Sequence, residues 1–302
     1  TRSTQGVSSA ASDVYKRENM YRTLLYITFA LFFSLTFSVK AEEAYCAISE
    51  ECREARWTDL KETMFKDIDI KSGEGTIELS TPKRAPDAAF VPMSFKTHKL
   101  KNQDDFITKV HLVIDMNPSP YSGTFKFATN LDQIELATRI RLDAYTKVRV
   151  IAETKKGDYF MAANFVRGSG GCAAPPLGDL ENMIANAGKM KVKIKSVKEK
   201  DGIAEAKIMI LHPQFNGLQA NPVTTEMIPA YFIHNVEVTY NDKIVMSLES
   251  DISISQDPTF RFNFPLGDGG DLKITAKDID GNVYSYSEKL ALEDNQLKIA
   301  SQ

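Results

Sequence analysis

Short segments in which apolar and polar residues alternate recur along most of this chain, and they limit its fold more than any other feature. Alternation with a period of two is typical of a β-strand with one buried face. Turn residues separate the segments and no long helical pattern lies between them, which predicts a β-sandwich. In the first half of the chain the segments are residues 76–79, 90–95, 110–114, 124–127, 147–151 and 157–166.

A second set of alternating segments begins after residue 189 and predicts a second sandwich. Between the two sets, Leu180, Met183 and Ile184 recur at helical spacing before Gly188, which predicts a short helix. The sequence therefore predicts an all-β chain with two tandem immunoglobulin-like β-sandwiches, joined by a linker with a short helix. In the second half the segments are residues 191–195, 206–210, 236–240, 243–246, 260–264, 272–275 and 283–286.

A cleavable signal peptide is predicted over residues 1–41. A basic region precedes an apolar run over residues 24–39, and the run ends at a small-x-small cleavage site closed by Ala41. Met20 is the expected true start of this segment. The alternative is a single membrane anchor, but a membrane span needs about 20 apolar residues and this run is shorter. Residues 42–74 then form an N-terminal extension with a helix predicted over residues 54–65.

Composition and charge exclude several classes of protein. Hydrophobic residues make up 43% of the chain and charged residues 25%, which argues against a disordered or collagen-like chain. The net charge is −3, and removal of residues 1–41, which hold five Lys/Arg and two Asp/Glu, makes it −6. An acidic chain of this kind is expected to bind neither nucleic acid nor, after cleavage, a membrane surface.

One of the three cysteines lies far in sequence from the other two. Cys46 and Cys52 are close enough in sequence to form a local disulfide, and Cys172 lies far from both. Export brings the chain into an oxidising compartment, where an unpaired thiol is a candidate reactive group.

Glycines surround Cys172, and they predict a mobile, exposed arm or loop. Gly168, Ser169, Gly170 and Gly171 precede the cysteine, and this stretch carries no bulk to bury. From residue 166 to Cys172 the chain can extend about 20 Å, enough to enter the cleft of another protein. The alternative is a tight turn in which the cysteine is buried.

Two other motifs resemble known binding sites but do not predict one. Residues 168–173 fit a dinucleotide-binding glycine pattern but are not followed by the required acidic residue and βαβ alternation. Residues 278–281 lack the ligands of a calcium loop and predict an Asp-Gly hairpin turn. No metal-ligand spacing stands out, and no cofactor is predicted. A thiol hydrolase would need a histidine base for Cys172, and the candidates are His98, His111, His212 and His234.

Eight motifs in order resemble two sulfur-oxidation families. The first half is similar to SoxY, the sulfur carrier of the periplasmic thiosulfate-oxidising system, and the second half to SoxZ. The fusion of both, with Trp57, Leu60 and Lys61 ahead of it, resembles SoxYZ-like carriers associated with quinoprotein dehydrogenases. The SoxY likeness rests on residues 82–92, 115–120, 138–141 and 170–172, and the SoxZ likeness on residues 212–218, 228–233, 253–258 and 278–281.

The resemblance implies a periplasmic, non-catalytic carrier that holds sulfur intermediates covalently on Cys172. Gly168, Ser169, Gly170 and Gly171 would form the arm, and the partners would be sulfur-oxidation enzymes or a quinoprotein dehydrogenase and its cytochrome. The implied domains are a SoxY-like sandwich over residues 75–172, a linker over 173–189 and a SoxZ-like sandwich over 190–302. A non-catalytic binding module with an incidental cysteine remains a third alternative, beside the hydrolase.

Overall fold

The structure is a computed structural model that describes residues 46, 49–102, 104–127, 131–196, 202–293 and 296–299. The predicted signal peptide over residues 1–41 lies outside the described residues. No helix in the described part of the chain is long and apolar enough to cross a membrane.

The described residues contain sixteen strands and two helices, connected by turns and loops. The helices are α1 (Glu50–Met64) and α2 (Leu180–Ala185). The strands of the first half are β1 (Ile70–Ser72), β2 (Ile77–Ser80), β3 (Val91–Thr97), β4 (Ile107–Ile114), β5 (Tyr121–Lys126), β6 (Glu135–Ile140), β7 (Thr146–Thr154) and β8 (Tyr159–Val166). Those of the second half are β9 (Met190–Ser196), β10 (Ile203–Ile210), β11 (Ile233–Tyr240), β12 (Lys243–Ser250), β13 (Thr259–Pro265), β14 (Gly269–Asp278), β15 (Val283–Glu293) and β16 (Gln296–Ile299).

The predicted all-β architecture is confirmed, and the two halves share both of its sheets. One sheet has ten strands in the order β1-β8-β7-β4-β5-β12-β11-β14-β15-β16, and the other has six in the order β2-β3-β6-β13-β10-β9. The halves are joined where β5 pairs antiparallel with β12 and where β6 pairs antiparallel with β13. The alternating pattern predicted two sandwiches, but it carried no sign that their strands pair with each other.

The buried faces of the two sheets form a single core that runs through both halves. Phe95 and Phe125 of the first half belong to the same cluster of buried side chains as Val236, Phe262 and Ile274 of the second. Strand β13 shows the cause, because its inward residues are buried while alternate ones are not. The alternation of apolar residues therefore determines which face of each predicted strand points into the core.

Helix α1 covers the outer face of the ten-stranded sheet in the first half. Its buried residues Arg53, Trp57 and Leu60 follow one helix face, and Trp57 and Leu60 pack against Val113 and Ile151 of the sheet. The predicted helix is confirmed, although it begins at Glu50 rather than at residue 54.

Helix α2 and the Asp-Gly turn are also confirmed. Asp179 caps α2 by accepting a hydrogen bond from the Asn182 amide at 2.8 Å. Residues 278–281 join β14 to β15, with Gly281 at φ +87° and the Asp278 side chain accepting a hydrogen bond from the Asn282 amide at 2.9 Å.

Candidate functional site

The candidate site is the cysteine segment, defined here as residues 168–177, which follows the last strand of the first half. Strand β8 ends at Val166, and Arg167 then pairs with the chain at Arg84 in a short parallel bridge. This bridge directs the segment across the junction between the two halves.

The glycines in the segment are required by close packing and backbone conformation. A side chain on Gly171 would overlap the carbonyl group of Ala88, and the Gly171 amide donates a hydrogen bond to the Leu142 carbonyl at 2.8 Å. Gly170 has φ +77°, a left-handed conformation that favours glycine, and its amide donates to the Asp143 carbonyl at 2.7 Å.

The Cys172 side chain is completely buried in this arrangement. Its exposed fraction is 0%, whereas Ser169 and Gly170 are exposed. An exposed arm was predicted across Gly168, Ser169, Gly170 and Gly171, and that prediction is wrong for Gly168 and Gly171, which are buried together with Cys172. The mobility of the arm stays a prediction. The glycines were interpreted as a source of mobility, but they allow the backbone to pass close to its neighbours.

Three buried amide side chains from the second half hold the main chain of the segment. Two of them, Asn216 and Gln219, come from the β10–β11 loop (residues 211–232), which is far from the segment in sequence. Asn216 donates a hydrogen bond to the Cys172 carbonyl at 2.7 Å, and Gln219 donates to the Ala174 carbonyl at 2.9 Å. Gln256 adds a reciprocal pair with the Leu177 main chain at 3.3 and 3.1 Å.

A buried guanidinium completes the site. Arg141, just after β6, has 2% of its surface exposed, and its Nη1 donates to the Gly171 carbonyl at 3.2 Å. Its Nη2 lies 3.5 Å from the Gln214 carbonyl, and its Nε has no hydrogen-bond partner among the described residues.

The electrostatic environment keeps Cys172 protonated. The pKa of the Cys172 thiol is raised to about 12, first by burial and then by the nearby Asp143 carboxyl, with the Arg141 guanidinium acting in the opposite direction. Because the thiolate is the reactive form of cysteine, the closed segment presents a chemically inert thiol at neutral pH.

None of the four histidines is hydrogen-bonded to Cys172. His98 pairs with Glu78 at 2.7 Å, and His111 lies between Glu153 at 3.0 Å and Tyr121 at 2.7 Å. His212 packs on the ring of Tyr231, and His234 is exposed. The Cys–His pair that a thiol hydrolase would need is therefore not formed by these residues.

The other two cysteines, Cys46 and Cys52, are both disulfide-bonded, and Cys172 is the free cysteine. No group of three or more potential metal ligands occurs in the described ranges.

Arg141, Asn216 and Gln219 were not identified as site residues from the sequence. The sequence signal was the resemblance to the SoxY and SoxZ families, because the motif at residues 138–141 contains Arg141 and the motif at 212–218 contains Asn216 and ends next to Gln219.

Comparison with protein families matches both halves. The model for the sulfur oxidation protein SoxY matches residues 61–172, and the model for the sulphur oxidation protein SoxZ matches residues 190–289. The chain belongs to the SoxY and SoxZ families, fused in tandem. The SoxY match ends at Cys172, and the SoxZ match includes the loop that carries Asn216 and Gln219.

The solved structures that match this chain include a sulfur carrier protein and a glycosidase. The sulfur carrier protein SoxY from Chlorobium limicola f thiosulfatophilum has 19% sequence identity, with 42% of this chain and 97% of that chain covered and a TM-score of 0.32. A β-glycosidase from Bacteroides vulgatus has 9% identity, covering 70% of this chain and 24% of the other, with a TM-score of 0.19. A search of curated proteins found no match.

Proposed function

We propose that this protein carries sulfur intermediates covalently on Cys172 and presents them to partner redox enzymes in the periplasm. The observation that carries the proposal is that Cys172 is the free cysteine and the last residue of the SoxY match. Both halves match models of sulfur oxidation proteins.

The chemistry of carriage needs only the thiolate of Cys172. Its sulfur attacks a divalent sulfur atom of the cargo, a new S–S bond forms, and the group previously attached to that sulfur leaves with the electron pair. A partner enzyme can then act on the attached sulfur, and a second thiol or sulfur nucleophile releases it by the reverse exchange. No metal or cofactor of the carrier takes part in this exchange.

Loading requires the cysteine segment to leave its buried position. The described side-chain hydrogen bonds to the segment, from Arg141, Asn216, Gln219 and Gln256, all end on its main chain. Two main-chain hydrogen bonds from Gly170 and Gly171 add to them. Such bonds each contribute about 1 kcal/mol, so a local opening is far less costly than unfolding the core. A docking partner would shift the segment toward its open form by binding that form.

The periplasmic location is supported by two features. The predicted signal peptide over residues 1–41 would export the chain. Cys46 and Cys52 are disulfide-bonded, and disulfides persist in oxidising compartments of this kind. Candidate partners are sulfur-oxidation enzymes acting on thiosulfate, or a quinoprotein dehydrogenase with its cytochrome.

The proposal is tested by substrate-dependent cytochrome reduction in a periplasmic fraction that lacks this protein. Wild-type protein should restore the activity and Cys172→Ser should restore none. A Cys46→Ser, Cys52→Ser double variant is the control and should remain active because it keeps Cys172. Full activity of Cys172→Ser would identify a binding module instead. Histidine-dependent hydrolysis of a small ester by the isolated protein would identify a hydrolase.

A further inference from the structure

Two arginines of the first half are almost completely buried, and only one of them has an anionic partner. Arg149 has 2% of its surface exposed, and it forms hydrogen-bonded ion pairs with the Asp115 carboxylate at 2.9 and 3.0 Å. It also lies 4.2 Å from the centre of the Trp57 ring. Arg149 is therefore a buried charge with a structural role and a complete set of partners.

Arg141 is equally buried but lacks such a partner. Its hydrogen-bond acceptors are two neutral carbonyl groups, and its Nε donor faces no acceptor in the described part of the chain. None of the described carboxylates lies within ion-pair distance of it. A buried guanidinium without a counterion is strongly unfavourable, so it is rarely kept unless an anion approaches it during function.

The position of Arg141 identifies where that anion would be. Its Nη1 contacts Gly171, the residue before Cys172, and the charges of Arg141 and Cys172 interact. Cys172 is the free cysteine, and the nearby Asp143 carboxyl acts on the charge of Cys172 rather than on that of Arg141. The exposed Asp87 carboxylate also acts on the Arg141 charge, but from beyond ion-pair distance. The buried group next to Arg141 that can gain a negative charge is Cys172 or what is attached to it.

We propose that Arg141 is a positioning residue that pairs with negative charge on Cys172, so that the closed segment retains anionic sulfur cargo better than neutral cargo. This inference rests on the proposed carrier function. The Nε donor and the Gly171-facing Nη1 would both bind the anionic group, because a guanidinium offers paired donors that match oxyanions.

Two disulfide-linked adducts of different charge test the proposal on the full chain, and the Arg141 variants separate the effect of charge from that of size. Tetrathionate reacts with the Cys172 thiolate to attach an S–SO₃⁻ group, and thiosulfate leaves with the electron pair. Methyl methanethiosulfonate attaches an S–CH₃ group, and methanesulfinate leaves. The measured quantity is the rate at which 2-mercaptoethanol releases each group from native protein, divided by its rate in urea-unfolded protein.

The native wild-type protein should protect the anionic adduct about tenfold more than the neutral one, the factor that one hydrogen bond to a charged group provides. Arg141→Met should remove this difference, and Arg141→Lys should retain part of it. Arg139→Met is the matched control and should keep the full difference. Arg139 is a nearby arginine that loses the same charge but hydrogen-bonds to the main chain at Gln256 and Asp257.

The possible failures are distinguishable. Equal protection of both adducts in wild type, or an unchanged difference in Arg141→Met, overturns the role of Arg141 and leaves the carrier function standing. If neither reagent modifies Cys172 in the native protein, the thiol does not open, and the carrier function falls together with this inference. Urea unfolding of each variant establishes that the comparison is made on folded protein.

Discussion

At the scale of single residues, the Cys172 thiol is protected by burial rather than by any covalent bond. Its pKa of about 12 in the closed segment stands above the ordinary value of 9 for a cysteine. Since the protonated form is favoured by the closed segment, the thiolate is favoured by the open one. The same group is therefore inert while stored and reactive once released.

This difference predicts a pH dependence. A pKa that is raised in the folded state gives a stability contribution that is complete below pH 9 and is lost as the pH rises toward 12. The loss is at most about 1.4 kcal/mol per pH unit. The free energy of unfolding of wild type should thus fall more steeply between pH 9 and 11 than that of Cys172→Ser. Parallel curves would contradict the burial of an ionisable thiol at this position.

The two buried arginines predict opposite effects on stability. Arg149→Met leaves the Asp115 carboxylate buried without a partner, and it should cost about 3–5 kcal/mol of unfolding free energy. Arg141→Met removes a buried charge that has no counterion, so it should be neutral or stabilising. Urea unfolding of both variants is the measurement, and similar losses for both would show that Arg141 has a structural role.

At the scale of elements, the cysteine segment is held by side chains from a distant loop. The side chains of Asn216 and Gln219 are themselves oriented by main-chain amides of the loop. The main-chain N–H of Asn216 donates to Oε1 of Gln219 at 3.2 Å, and the main-chain N–H of Leu218 donates to Oδ1 of Asn216 at 2.9 Å. The β10–β11 loop is thus arranged in advance to receive the segment. A hydrogen bond removed from this loop should favour the open form.

Asn216→Ala should accordingly speed the alkylation of Cys172 in native protein by about fivefold to tenfold, the effect of about 1 kcal/mol on the opening equilibrium. The control is Asn263→Ala, which also removes two hydrogen bonds of an asparagine side chain, one donated to the Gln133 carbonyl and one accepted from the Glu135 amide. It should leave the alkylation rate unchanged. Equal acceleration in both variants would mean that general loss of stability exposes the thiol.

The sequence predicted both helices and every strand except β1, β6 and β16, because these elements depend on local pattern. It also singled out Cys172 from the glycines around it. It did not predict the state of the cysteine segment. Glycine is equally compatible with mobility and with close packing, and only the position of Ala88 decides between them. Asn216 and Gln219 could not be assigned either, since their partners lie more than forty positions away in the chain.

At the scale of the whole molecule, the two families are fused in structure as well as in sequence. Phe125 of β5 pairs with Leu248 of β12, and Leu136 of β6 pairs with Phe262 of β13. Both sheets and the core therefore cross from one half to the other. The second half contributes to the closed site directly, because it supplies the amides that hold the cysteine segment.

Shared sheets predict a single cooperative unfolding transition for residues 50–302. Separating the halves would expose the hydrogen-bonding edges of β5, β6, β12 and β13, which is unfavourable in water. Differential scanning calorimetry should give one transition whose calorimetric and van't Hoff enthalpies agree. Two resolved transitions would show that the halves are stable independently of each other.

The most direct test of the account is the mass of the Cys172 peptide in protein isolated from cells that are oxidising sulfur compounds. The account predicts a sulfur-containing adduct on Cys172 that a reductant removes, with Cys46 and Cys52 in their disulfide. It further predicts that the adduct is anionic. A Cys172 that is always unmodified, and that stays inaccessible to alkylation in the native protein, would contradict the carrier function.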